Sequence, residues 1–160
     1  MALLEIEVNG REYRLEVEHT ANLLMVLREQ LRVTGPKVGC ETGDCGACNV
    51  LIDGQLRRAC LTHALSVNGC KITTVEGLGA GGDLHAVQKQ FYQNHASQCG
   101  FCTPGMVMAS KALLDQNPDP SELEIKQALS GNLCRCAGYV NIIKAVKAAA
   151  RDMNGQGGDQ

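Results

Sequence analysis

The sequence predicts an α+β chain of two domains, because its hydrophobic pattern changes period near the middle. In the first half, apolar residues alternate with polar ones, as in half-buried strands, and after residue 83 they recur at helical spacing. The glycine-rich run GLGAGG at 77–82 lies between the two patterns and is typical of a linker. We therefore expect a first domain over 1–78, a second over 79–154 and a disordered glycine-rich tail over 155–160.

The first half contains two predicted hairpins. Apolar and charged residues alternate on both sides of Asn9-Gly10, which indicates a hairpin from about residue 3 to 18. Asp53-Gly54 marks a second hairpin between residues 50 and 56. Ile72 and Val75 are expected to complete the sheet.

One helix is expected between these hairpins. Thr20 or Asn22 can cap it, leucines follow at helical spacing from Leu23 to Leu31, and Gly35-Pro36 is expected to end it. Residues 39–48 are rich in Gly and Cys without periodicity, so they form a loop.

Four helices are expected after the linker. Their predicted starts are the cap Asp83, Pro104 in a first turn, the capping box of Ser121 with Glu124, and a position near Tyr139. The predicted ends of the last three are Asn117-Pro118, Leu129 and Arg151.

Composition narrows the function classes. The formal net charge of −2 offers no basic field for nucleic acid. Aromatic residues are 3% of the chain and Trp is absent, so two small cores need covalent or metal staples. The alternating N-terminus does not resemble a signal peptide, and no run of 18 apolar residues predicts a membrane span. We expect a reducing, cytoplasmic location, where the nine cysteines would be metal ligands or catalysts rather than disulfides.

The first cysteine group has the spacing C-x4-C-x2-C, the plant-type ferredoxin pattern for a [2Fe–2S] cluster. Three glycines of the loop (Gly39, Gly43 and Gly46) let backbone N–H groups approach the cluster sulfides. The fourth cysteine lies closer along the chain than in ordinary plant-type ferredoxins. The expected ligands are Cys40, Cys45, Cys48 and Cys60.

The second group combines a C-x2-C pair with a C-x-C pair, each just before a predicted helix. Helix N-termini offer free N–H groups and partial positive charge to thiolates. The expected ligands are Cys99, Cys102, Cys134 and Cys136. For this group taken alone, a structural zinc site or a redox dithiol stays open. Cys70 has no partner left and is interpreted as a small buried apolar residue.

The residues contain no pattern for substrate chemistry. There is no Ser/His/Asp grouping, no carboxylate pair in a glycine-rich pocket and no phosphate loop. Electron transfer through two [2Fe–2S] clusters is therefore the predicted function, with no catalytic residue in this chain. There are two alternatives. The chain could be a stand-alone two-cluster ferredoxin-like carrier rather than a subunit of a larger complex, or it could be a structural zinc protein.

Three motifs resemble the small iron–sulfur subunit of the xanthine dehydrogenase family, the molybdenum hydroxylases. They are GCETGDCGAC at 39–48, QCGFCTPG at 98–105 and GNLCRCAGY at 131–139. They occur in the family's order, and the resemblance covers about residues 3 to 150.

The resemblance implies more than the spacing does. The first domain should be a β-grasp ferredoxin-like domain and the second a four-helix bundle, each with one [2Fe–2S] cluster. A large partner subunit would carry molybdopterin and a medium one FAD, in a heterotrimer or a dimer of heterotrimers. Electrons would pass from molybdenum through the second cluster and the first to FAD. Gln98 matches the family position that hydrogen-bonds the pterin, and Cys136 the ligand nearest to it.

Three positions depart from the family pattern. Asn49 and Ala137 stand where Thr is usual, and Pro36 replaces a common Thr. None of them removes a ligand, and Ala137 lacks a hydroxyl that could modestly shift the potential of the second cluster.

Overall fold

A computed structural model describes residues 1–79 and 82–155. The first half forms a mixed five-stranded sheet in the order β2-β1-β5-β3-β4. The pairs β1/β2, β3/β4 and β3/β5 are antiparallel, while β1 and β5 are parallel. The strands are β1 (Ala2–Val8), β2 (Arg11–Val17), β3 (Asn49–Ile52), β4 (Gln55–Arg58) and β5 (Lys71–Thr73).

Both predicted hairpins are confirmed. Asn9 and Gly10 have φ of 52° and 81°, and Asp53 and Gly54 have 48° and 80°. Two successive positive φ values are typical of the turn that matches the right-handed twist of paired strands. Of the two residues expected to complete the sheet, only Ile72 does so, because Val75 begins the 3₁₀ turn Val75–Gly77.

The helix of the first domain is shorter than expected. Asn22 caps α1 (Leu23–Met25) by accepting from the N–H of Met25 at 2.9 Å, and a π-helical turn, Val26–Gln30, continues it. The helix stops before the predicted Gly35-Pro36, because Arg32 has a left-handed φ of 58° that an α-helix does not accommodate. Its buried leucines pack on one face of the sheet with Leu4, Ile6, Val50 and Ile72.

The second half contains α2 (Ala86–Gln93), α3 (Thr103–Gln116), α4 (Glu122–Leu129) and α5 (Tyr139–Met153). Each of α2 and α4 packs against both α3 and α5, which makes a four-helix bundle. The capping box of Ser121 with Glu124 is confirmed. The predicted cap Asp83 is wrong, because His85 accepts from the N–H of Val87 and its own N–H donates to Gln88, so α2 begins later.

A small apolar cluster joins the halves. Leu51 of β3 is buried against Met108 and Ala112 of α3, with Leu56 and Val75 beside them. This contact brings the loop before α3 next to the cysteine loop of the first half. In the described ranges, no helix is long and apolar enough to cross a bilayer. Ala80 and Gly81 of the expected linker, and 156–160 of the expected tail, lie outside the described residues.

Candidate metal centres

The structure brings the first four cysteines together as two pairs. The loop between α1 and β3 carries three of them, and the 3₁₀ turn Ala59–Leu61 carries Cys60. The Cys45 side chain lies next to that of Cys40, and the Cys60 side chain lies next to that of Cys48. Cys48 and Cys60 are buried and belong to the core of the first domain.

Hydrogen bonds make Cys40 an acidic thiol. The Thr42 side chain and the N–H groups of Cys45 and Thr42 lower the pKa of Cys40 to about 6. Both N–H groups lie 3.4 Å from its Sγ. The Thr42 hydroxyl also donates to Oδ2 of Asp44 at 2.6 Å.

Burial has the opposite effect on the inner thiols. It raises the pKa of Cys60 to about 11, assisted by the thiol of Cys48, although the Gly43 N–H opposes the rise. Burial likewise raises the pKa of Cys45. These two thiols are protonated at neutral pH, so binding of a metal cluster must release their protons.

Two glycines of the loop pack against different parts of the molecule. A Cβ on Gly39 would lie 2.7 Å from the sulfur of Cys45, so the absence of a side chain here makes room for that proposed ligand. A Cβ on Gly46 would instead lie 2.6 Å from the carbonyl oxygen of Gly131, in the other domain. The absence of a side chain at Gly46 therefore permits the close contact between the two domains.

The second group also forms two pairs. The loop before α3 carries Cys99 and Cys102, and the loop before α5 carries Cys134 and Cys136. The Cys102 side chain lies next to that of Cys134, and the Cys136 side chain lies next to that of Cys99. Each pair thus joins one cysteine from each loop, which closes the two helix N-termini over one site.

Backbone N–H groups set the acidity of this group as well. Burial raises the pKa of Cys102 to about 12. The N–H of Phe101 lowers the pKa of the exposed Cys99. At Cys134 burial opposes ionisation, but N–H groups led by that of Gly138 lower the pKa overall. Donors of this kind stabilise thiolates and bound cluster sulfurs.

The pairing fits a two-iron core. Within residues 1–79 and 82–155, no three Cys, His, Asp or Glu side chains converge closely enough to hold a single metal ion. A [2Fe–2S] core takes two thiolates on each iron, so its four ligands arrive as two pairs. Each cysteine group supplies the four thiols that such a core takes.

The remaining predicted residues have distinct positions. Gln98 is exposed, and its Nε2 donates to the carbonyl oxygen of Cys136 at 3.4 Å, so the structure places this predicted pair together. Cys70 belongs to neither group. It is half-buried against the first core, and burial, assisted by the nearby Asp53, raises its pKa.

Sequence reasoning missed the role of the Tyr139 hydroxyl and the hydrogen bonds between the two groups. The hydroxyl of Tyr139 accepts from the N–H of Cys134 at 2.7 Å and so holds the second loop on α5. A cleft of about 330 Å³ is lined by Cys45 together with Cys99, Cys102 and Cys134. The N–H of Leu133 donates to the carbonyl oxygen of Cys45 at 2.9 Å. The two cysteine groups are therefore neighbours across the domain contact.

Each half of the chain matches a known protein family. Residues 6–73 match the family "2Fe-2S iron-sulfur cluster binding domain", and residues 74–147 match the family "[2Fe-2S] binding domain". Together they span nearly the whole chain.

Individual relatives agree with these matches. The nicotinate dehydrogenase of Pseudomonas putida has one subunit that is 45% identical, with 92% of this chain and 94% of the relative covered. The crystal structure of quinoline 2-oxidoreductase from Pseudomonas putida 86 contains a chain that is 44% identical, with a TM-score of 0.92 over 98% of this chain and 97% of that one. Aldehyde oxidoreductase of Megalodesulfovibrio gigas is 47% identical over 94% of this chain, which spans only 17% of that larger protein.

Proposed function

This chain belongs to the family of small [2Fe–2S] subunits of the molybdenum hydroxylases, and from that premise we propose which residues bind the two clusters. Its role is electron transfer within an oxidoreductase. The proposed ligands are Cys40, Cys45, Cys48 and Cys60 for one cluster, and Cys99, Cys102, Cys134 and Cys136 for the other. The proposed domain limits are 1–78 and 79–154.

One observation carries the ligand assignment: each group of four cysteines consists of two thiol pairs surrounded by backbone N–H donors. When bound, a [2Fe–2S] cluster accepts and releases one electron. The cysteines would hold each cluster as thiolates, and the N–H groups of Thr42, Gly43, Phe101 and Gly138 would stabilise the added negative charge.

We propose that the partners are a large subunit with molybdopterin and a medium subunit with FAD, in a cytoplasmic heterotrimer or dimer of heterotrimers. Electrons would travel from molybdenum to the helical domain, then to the sheet domain and to FAD. Gln98 is exposed beside Cys136, which leaves its amide able to reach a pterin on a partner surface. The hydrogen bond between Leu133 and Cys45 would connect the two cluster sites.

The test is EPR of the dithionite-reduced native complex at graded temperatures, with iron analysis. Two signals of different relaxation and about four irons per chain are expected, since each cluster holds two. One signal with about two irons would refute the assignment of the second group. Molybdenum content and native size then distinguish a complex from a freely diffusing carrier: a lone chain without molybdenum would refute the proposed partners.

A further inference from the structure

Arg58 connects the two cysteine groups through its guanidinium. Its Nε donates to the carbonyl oxygen of Gly43, in the first cysteine loop. Its Nη2 donates to the carbonyl oxygen of Gly131 at 2.8 Å, at the start of the third motif. Its Nη1 donates to Oδ1 of Asn49 at 3.1 Å. One planar side chain therefore holds both loops, as the fork of donors on arginine permits.

All three acceptors are neutral, and this matters for the charge. In the part of the chain that the structure describes, no carboxylate forms an ion pair with Arg58. The side chain is half-buried, so solvent screens its charge less than on an open surface. Among the described residues, this positive charge thus lies between the two cysteine groups without a carboxylate partner.

A buried amide network fixes the position of this guanidinium. Asn49 and Asn132 are 1% and 4% exposed. The Nδ2 of Asn49 donates to Oδ1 of Asn132 at 3.3 Å, and the Nδ2 of Asn132 donates to the carbonyl oxygen of Gly46 at the same distance. Asn49 is one of the positions that depart from the family pattern. Its amide oxygen is the acceptor for Nη1, which orients the fork toward both loops.

The first cysteine loop is held more directly than the second. Arg58 lies two residues before Cys60 in the chain. Its Nε bond is to the carbonyl oxygen of Gly43, inside the loop that carries Cys40 and Cys45. On the other side, Gly131 lies three residues before the nearest cysteine, Cys134. The charge is therefore coupled more closely to the first group.

We propose that Arg58 is a positioning residue whose fixed positive charge raises the reduction potential of the first cluster while its guanidinium locks the two cluster loops together. This inference rests on the proposed ligands. Four thiolates around an oxidised core carry a net charge of about −2, which reduction makes about one unit more negative. A nearby cation stabilises the reduced form more, so it shifts the potential upward.

The experiment is an EPR-monitored redox titration of both clusters in the native complex, for wild type, Arg58→Gln, Arg58→Lys and Arg57→Gln. The Gln variant removes the charge, and the Lys variant keeps the charge but not the fork. Arg57→Gln is the matched control, because Arg57 is exposed on the other face of β4 and bonds only Leu56 and Gln55 among the described residues.

For Arg58→Gln we expect about a tenfold fall in the reduced-to-oxidised ratio of the first cluster at a fixed potential, which is about 59 mV for one electron. The second cluster should shift less. Arg58→Lys should keep the reduced-to-oxidised ratio of the first cluster within about threefold of wild type at the same potential. It should weaken the coupling between the two EPR signals, since the link to Gly131 is lost. Arg57→Gln should leave both potentials unchanged.

Three results would overturn the inference. The potential of the first cluster could stay unchanged in Arg58→Gln, Arg57→Gln could lower it as much as Arg58→Gln does, or Arg58→Lys could lower it as much as Arg58→Gln does. If Arg58→Gln fails to retain iron, Asn49→Asp places a carboxylate beside Nη1 with the arginine still present, and an unchanged first potential there would also overturn it. The iron count and the two signals of wild type are measured first, so a wrong ligand assignment is recognised separately.

Discussion

The main-chain N–H of Leu133 donates to the carbonyl oxygen of Cys45 over 2.9 Å. Cys45 belongs to the first cysteine group, and Leu133 directly precedes Cys134 of the second. Covalent bonds and one hydrogen bond therefore connect the two groups. Tunnelling decays less steeply along bonds than through empty space, so this contact favours electron exchange between the proposed sites.

Removal of one ligand should empty one site only. In Cys45→Ala the carbonyl that Leu133 contacts remains, but one thiolate of the first group is lost. We expect one EPR signal to disappear, the other to persist, and iron to fall by about two per chain. Cys70→Ser is the control, because Cys70 lies in neither group, and its iron content should equal that of wild type. Loss of both signals in Cys45→Ala would mean that the sites are not independent.

Gly105 is expected to tolerate no side chain. A Cβ added at Gly105 would overlap the carbonyl oxygen of Gly46 and would lie 3.0 Å from Cα of Ala47, both in the first domain. Gly105→Ala should therefore separate the domains or strain them, at a cost of about 1–3 kcal/mol. Thermal unfolding of the native complex measures this. The control Ser110→Ala removes an oxygen on the same helix without adding atoms, and stability losses of equal size would argue against a steric cause.

The cysteines of the cluster-free chain should differ in reactivity. The pKa of Cys40 is lowered to about 6 and that of Cys102 is raised to about 12. At pH 7 Cys40 is mostly thiolate and Cys102 is a thiol, and only the thiolate is nucleophilic. Alkylation followed by peptide mass spectrometry should label Cys40 before Cys102, at a rate that falls as the pH drops through about 6. Faster labelling of Cys102 would contradict the assigned environments.

Gln98→Ala should impair turnover without loss of iron. The Gln98 amide is exposed beside the carbonyl oxygen of Cys136, where a partner-bound pterin is proposed to lie. Loss of one hydrogen bond of about 1 kcal/mol predicts a fall of about fivefold in kcat/KM for the complex. Gln93→Ala at the end of α2 is the control. Unchanged turnover in Gln98→Ala, with both EPR signals intact, would exclude this role.

Patterns of short range were predictable because their causes are local. Asn9-Gly10 and Asp53-Gly54 adopt the left-handed angles of tight hairpin turns, and Ser121 with Glu124 satisfies its own helix N-terminus. The cysteine spacing identified two groups of possible ligands. The errors were also local in origin: Asp83 is a good cap by residue type, but the histidine two positions later bonds the helix instead.

The sequence by itself determined two cysteine groups, two small domains and their order, since spacing, turn residues and hydrophobic period act over a few residues. Only the tertiary structure decided how the groups meet. The hydrogen bond from Asn49 to Asn132 spans 83 positions of the sequence, and the one from Arg58 to Gly131 spans 73. No local conformational preference of Asn or Arg predicts such a hydrogen bond. It exists because Leu51 packs on Met108 and Ala112, and that packing places both loops within reach of one guanidinium.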